Sequence, residues 1–284
     1  MYATARGSWA CLGLLGFILA TTTASAIADV ETPTLDQLGS VRDLDGVPIE
    51  TTPPPGGATV VVFVSTECPI ANAINPTLTA LHAEFAPPRV SWLAVCVDPD
   101  ATVKSLREHA EEYDVKARLV LDPRGRIARR LSAAKTPEAF LFDDQGRLRY
   151  RGCVDDQFAG RGLRKANPGP SPLREALAAV LDGRDAPKAV VPPVGCPLPE
   201  VPTPTYTRDV AAILQNNCRE CHRKGQVGPF ALDDYQQARK RAGDLATVVE
   251  ERTMPPWKAA PGVGPKFLHE RVLSPAEIDA IAAW

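Results

Sequence analysis

Histidine and methionine are scarce in this chain, with four and two residues among 284, so a site built on imidazole or thioether has few candidates. Charge of one sign is scarce too. The 32 Lys+Arg and 34 Asp+Glu leave a net charge of −2, with no electrostatic footprint for nucleic acid, and that partner class is excluded. No apolar run reaches the roughly 18–20 residues needed to span a bilayer; the run Trp9–Ala20 has 12. Internal repeats, a phosphate-binding glycine loop and a serine-hydrolase elbow are all missing. What is present is a hydrophobic content of 44%, enough for packed cores and too high for a disordered chain. Proline stands out at 28 residues, about twice its usual share of roughly 5%.

The chain opens as an export signal: Arg6 in a short n-region, the apolar core Trp9–Ala20, then Ala24-Ser25-Ala26. Cleavage after Ala26 is expected, leaving no stable membrane span. The mature chain keeps Cys68, Cys96, Cys153, Cys196, Cys218 and Cys221. Export places them in the periplasm or another oxidising compartment, where disulfides persist.

Two blocks follow. Residues 36–183 alternate β-branched runs with helical periodicity, the pattern of an α/β domain. Strands are predicted over 59–64, 90–97, 118–121, 139–142 and 148–151, and helices over 71–85, 101–113 and from Pro172 to Leu181, the last capped by Ser171. Residues 184–206 hold seven prolines and read as a stiff connector rising about 3.1 Å per residue. Residues 207–284 are small and all-helical. Thr207 is expected to cap a first helix, a long helix is expected over 233–252, and Ser274-Pro275-Ala276-Glu277 forms a capping box flanked by a Leu273/Ile278 staple.

The strongest chemical signal is Cys218-Arg219-Glu220-Cys221-His222. Its spacing is that of covalent haem attachment, in which two thiols add to porphyrin vinyl groups and the adjacent imidazole ligates iron. A zinc site would need a second Cys/His pair, and none lies nearby. The mature chain has one methionine, Met254, 32 residues after His222 in Met254-Pro255-Pro256-Trp257. By elimination it is the expected sixth ligand, with His269 as the rival; a thioether there suits electron transfer. Residues 207–284 therefore resemble a class I-type cytochrome c domain carrying one covalently bound haem c. The run Gly225-Gln226-Val227-Gly228-Pro229-Phe230 is similar to cytochrome modules fused to other redox domains in exported bacterial proteins. The chain stops at Trp284 inside its last predicted helix, as a fragment with a missing downstream domain would.

In the first block, strand 59–64 leads through Ser65-Thr66-Glu67 to Cys68-Pro69 at a helix start, where N–H groups favour negative charge. Lys135-Thr136-Pro137-Glu138 precedes a later strand as the cis-proline loop does in thioredoxin-like proteins. Residues 36–183 thus resemble the redoxin branch of the thioredoxin superfamily, of the alkyl hydroperoxide reductase and thiol-specific antioxidant type. The site departs from its relatives. Ala71 stands where thioredoxins have their second cysteine, and Ser65 and Val61 stand where peroxiredoxins have threonine and proline. If Cys68 cycles, it needs a distant partner. Cys196 in the proline-rich segment is the first choice and Cys153 the second, while a static Cys153–Cys196 disulfide is an open alternative.

Two readings follow. One is an exported oxidoreductase that combines thiol-disulfide chemistry at Cys68 and Cys196 with haem electron transfer through Cys218, Cys221, His222 and Met254, serving redox protein partners. The other is an electron-delivery and docking module for a downstream oxidoreductase domain, with an inactive redoxin scaffold.

Overall fold

In the computed structural model, residues 32–85, 87–256 and 271–284 are described, together with Met1. The export signal, Trp257 and His269 lie outside the described residues.

A 3-10 turn at Leu35–Leu38 and the small hairpin β1 (Val41–Arg42) and β2 (Pro48–Ile49) lead into β3 (Ala58–Val64), whose seven residues are all buried. Such a run is what a strand covered on both faces requires. Next come α1 (Pro69–Glu84), β4 (Val90–Cys96), α2 (Val103–Glu112), β5 (Arg118–Leu121) and α3 (Arg126–Arg130). Then follow β6 (Lys135–Thr136), β7 (Glu138–Asp143) and β8 (Leu148–Gly152), the ribbon β9 (Phe158–Gly160) and β10 (Leu163–Arg164), and α4 (Pro172–Leu181).

The central sheet has the order β11-β8-β7-β3-β4-β5, where β11 is Val190–Val191. Strands β3, β4 and β5 run parallel, β7 runs antiparallel to β3, and β8 runs antiparallel to β7. Period-2 alternation sends Val60, Val62 and Val64 to one face, with Leu81 of α1, Leu106 of α2 and Leu173 and Leu177 of α4. Val61 and Phe63 go to the other, with Leu35, Leu38, Ile127 and Leu131. Each such fully buried side chain contributes about 1.5–3 kcal/mol. The α/β block expected from the sequence is thus present, with element ends within a few residues of those predicted.

The proline-rich segment is not a free spacer. Val190 and Val191 pair with Arg151 and Gly152 of β8, and β12 (Cys196–Pro197) pairs antiparallel with β6. Leu198 packs onto the second core, and its N–H donates to Ala134 O at 3.0 Å. Proline limits strand pairing to short runs where its missing N–H is not needed, which is why the composition alone read as an unattached connector.

Beyond it, Thr205, not Thr207, caps a π-helical turn at Tyr206–Val210 that runs into α5 (Ala211–Asn217). The long helix expected over 233–252 is two: α6 (Tyr235–Lys240) and α7 (Ala242–Glu250), separated at Arg241. The break sets the Arg241 guanidinium over the Phe230 ring, 4.8 Å from its centre. Apolar periodicity runs on across such a break, so the pattern did not show it. Helix α8 (Pro275–Ala283) starts with the expected capping box at Ser274 and Glu277, and Leu273 and Ile278 are buried. The helical part has its own core of Val210, Leu214, Leu245, Val249 and Ile281. Residues Thr32–Trp284 form one compact unit, in which α8 packs against α3. No helix among the described residues is long and apolar enough to cross a membrane.

Candidate functional site

Cys68 closes the loop after β3 and is the N-cap residue of α1, with Pro69 at the first helical position. Its side chain is buried, 3% exposed, and its thiol donates to Thr136 O at 3.5 Å. The Thr136–Pro137 peptide is cis. Four contacts hold this loop. Thr136 Oγ1 donates to Phe63 O at 3.1 Å, and the N–H groups of Ala134 and Lys135 donate to Glu138 Oε2 at 2.9 and 3.3 Å. Arg151 Nε donates to Glu138 Oε1 at 2.6 Å. On the opposite wall, Asp98 Oδ2 accepts from the Thr66 N–H at 2.8 Å and from its hydroxyl at 3.1 Å.

The structure brings Cys196 to Cys68. In register with Thr136, Cys196 packs against the small cluster of Cys68, Ile70 and Ala71. The two cysteines line one groove of about 480 Å³ with Glu67, Asp98, Thr136 and Pro197. Burial first, and the adjoining Cys68 sulfur second, push the Cys196 thiol up to about 11. Cys153 is half-buried elsewhere, its thiol donating to Pro192 O at 2.9 Å, and burial raises its pKa. Cys96 is fully buried, and desolvation followed by the Asp98 charge pushes it up to about 12, as expected of an inert core thiol.

A second cavity, of about 840 Å³, lies in the helical part and falls within the usual range of roughly 300–1,000 Å³ for cofactor sites. Cys218, Cys221, His222 and Met254 all line it, with an apolar surround of Val227, Phe230, Leu245 and Val248. The Cys-x-x-Cys-His motif sits in turns just past α5. His222 Nδ1 is 3.2 Å from Phe230 O, and the two rings lie 4.6 Å apart. Engaging Nδ1 fixes the ring and leaves Nε2 as its other nitrogen. Gly228 makes this approach possible, because a Cβ there would meet both Cys221 O and His222 Nδ1 at 2.7 Å. Met254, 39% exposed, contributes its thioether to the same cavity. Burial pushes Cys218 up to about 11, with Cys221 the next cause. Among the described residues no three His, Cys, Asp or Glu side chains gather as a metal cage.

Sequence reasoning missed Glu138, Arg151, Asp98 and Gly195. The first three are ordinary charged residues in sequence and become site elements only through side-chain contacts that the tertiary fold makes, Glu138 with Arg151 and Asp98 with Thr66. Gly195 had a signal, a glycine next to a candidate cysteine, that composition alone did not weigh.

Residues 27–151 match the profile of the AhpC/TSA family. A curated relative, a thiol:disulfide interchange protein DsbE homolog from Paracoccus denitrificans (strain Pd 1222), is 34% identical over 127 residues, which is 43% of this chain and 63% of the relative. Among solved structures, an uncharacterised conserved protein from Geobacillus kaustophilus is similar at 27% identity and a TM-score of 0.52, covering 60% of this chain and 94% of that one. A hypothetical protein from Sinorhizobium meliloti 1021 has 27% identity over 56% of this chain and 88% of that one, with a TM-score of 0.49. Residues 27–151 are thus similar to the AhpC/TSA family, and the α/β part has a thioredoxin-like fold.

Proposed function

We propose that the α/β part exchanges disulfides through Cys68 and Cys196, and that the helical part carries one covalently bound haem c for single-electron transfer, in an exported protein serving redox partners. The observation that carries the first half is the seating of Cys196 against Cys68 beside Thr136. In its oxidised form the pair is a disulfide. A partner dithiol attacks one of its sulfurs, the Cys68–Cys196 bond breaks as a mixed disulfide forms, and the partner's second thiol then displaces the chain. The partner leaves as a disulfide, and two electrons and two protons reside on Cys68 and Cys196.

The second half rests on the donor set around the helical cavity: two thiols three residues apart, an imidazole anchored through Nδ1, and a thioether. These residues fit a haem that Cys218 and Cys221 would hold covalently, with His222 and Met254 as the side chains that would ligate its iron. When bound, that group supplies one-electron chemistry. His222 is oriented by Phe230 O, Gly228 leaves room for its ring, and Val248 and Leu245 contribute apolar wall.

The test is made on the exported full chain. Oxidation is expected to remove two thiols from the parent and none in this pair from Cys68→Ser or Cys196→Ser, and denaturation is expected to leave a haem absorbance attached to the polypeptide. A parent that keeps both thiols makes the α/β part a docking scaffold, and a chain without haem absorbance removes the cytochrome reading. Titrating a dithiol into the oxidised chain and into Cys68→Ser reports coupling: haem reduced in the parent alone links the two centres.

A further inference from the structure

The segment 193–199 lies across the groove in a way that the pairing of two cysteines does not require. Lys135 Nζ donates to Pro193 O at 3.1 Å, Cys196 and Pro197 are in strand register with Thr136 and Lys135, and the Leu198 N–H donates to Ala134 O at 3.0 Å. Strand β6 is only two residues long, and this segment pairs with it as an added strand would. Gly195 is the point of closest approach. A Cβ at that position would lie 2.1 Å from Thr136 O and 3.0 Å from Pro137 Cδ. Real Cβ atoms do not come that near a backbone oxygen, so any side chain at 195 must lift the segment off the loop. The result is an asymmetry between the two sulfur-bearing residues: Cys68 is 3% exposed, whereas Cys196 is only half-buried.

We propose that segment 193–199 is a tethered strand that shields Cys68, that Gly195 is the positioning residue that seats it, and that an external thiol enters the oxidised pair at the sulfur of Cys196. The proposal rests on the Cys68–Cys196 disulfide of the preceding section and assigns its polarity. The incoming thiolate bonds to Cys196 Sγ, the Cys68–Cys196 bond breaks, and Cys68 leaves with the electron pair under the strap. The external thiol has lost its proton, and Cys68 gains one when it is protonated, so atoms and electrons balance with the thiol as the only co-reactant. A dithiol completes the cycle by displacing Cys196 in turn.

Two measurements on the full chain test this. In the first, the oxidised parent is mixed with glutathione, quenched with N-ethylmaleimide and mapped by peptide mass. The adduct is expected on Cys196 by at least about tenfold over Cys68, the ratio that a 1.4 kcal/mol difference in access gives. An adduct chiefly on Cys68 overturns the proposal. The second is made in the Cys196→Ser background, where the only sulfur compared is Cys68 itself. There, Gly195→Ala is expected to raise the rate of Cys68 labelling by a bulky maleimide about tenfold or more, since lifting the strap opens the groove. A rate within about twofold of the Gly195 chain overturns the shielding role. Lys135→Met, which removes only the bond to Pro193 O, is expected to raise the rate less than Gly195→Ala does, and an equal or larger rise would remove Gly195 as the seating residue. Failure of the underlying disulfide is read separately: an oxidised parent without a Cys68–Cys196 cross-link sinks the exchange reaction, while the labelling arm still judges the strap.

Discussion

The Glu138 carboxylate is 1% exposed, yet it accepts from two backbone N–H groups of the loop before it and from Arg151 on the next strand. Replacing it by glutamine keeps the shape and removes the charge, so the bond from Arg151 loses its ionic partner. Glu138→Gln is expected to cost about 2 kcal/mol, as hydrogen bonds to charged groups do, read as a lower urea midpoint. An unchanged midpoint would mean that the loop stands without this brace. At the other site, Gly228→Ala puts a methyl group against His222 Nδ1 and Cys221 O. With the haem proposed above in this cavity, less haem per chain is expected, with a shifted absorption spectrum in what binds, while Cys68 labelling stays as in the parent. Parent-like haem content and spectrum would show that the cradle needs no bare Cα. These residues also mark what the sequence could tell. That Cys218, Cys221, His222 and Met254 share one cavity was suggested by the sequence, because spacing and scarcity are properties of the string. Glu138 was not, because its role comes from a side-chain bond to Arg151, which the β7–β8 register sets opposite Phe140, and from backbone N–H groups of the folded loop before it.

Elements were legible where periodicity and end signals agreed. Strand β3 and helix α4 came from uninterrupted patterns with a buried run and a Ser-Pro start. The α6–α7 break at Arg241 and the short strands β11 and β12 did not, because tertiary pairing decided them. Helix α8 shows the legible case in detail: Ser274 Oγ accepts from the Glu277 N–H at 3.3 Å, and Glu277 Oε2 accepts from the Ser274 N–H at 2.8 Å. Ser274→Ala removes the first of these bonds and is expected to cost about 1 kcal/mol, seen as a lower thermal midpoint. The haem spectrum should not move, since Ser274 does not line that cavity. A spectral change would mean that the helix start and the cavity are mechanically linked.

At the scale of the whole molecule, the α/β and helical parts meet over buried charges. Arg126 of α3 lies 3.0 Å from Glu250 at the end of α7 and 3.7 Å from Asp279 of α8, and it donates to Leu38 O at 2.7 Å. Arg130 adds a second contact to Glu250 at 3.5 Å. Val249, beside Glu250, lines the helical cavity, and Met254, four residues after Glu250, lines it too, so the clamp on Glu250 lies next to that wall. Removing Arg126 leaves the buried Glu250 with only the longer contact to Arg130, and Arg126→Met is expected to cost about 3 kcal/mol, the low end for a broken buried pair, read by urea unfolding.

Asp279 gives the same interface a pH dependence with a definite sign. Burial, against the opposing pull of Arg126, raises its carboxyl from 3.8 to about 6, and Asp122 and Glu250 add to the rise. Between those values the folded chain holds a proton that the unfolded chain has released. Stability from this group is therefore fully present below pH 3.8, falls as pH rises through about 6, and is flat above. Asp279→Asn stays neutral throughout. The difference in unfolding free energy, variant minus parent, is expected to grow from acid to neutral pH by up to about 3 kcal/mol, the equivalent of the shift. Taking the difference cancels the half-buried carboxylates Asp43 and Asp156, which are held low and pull the opposite way at acid pH. A difference that is constant, or that shrinks as pH rises, would mean that the fold does not raise the Asp279 carboxyl and that it is ionised beside Arg126 at neutral pH.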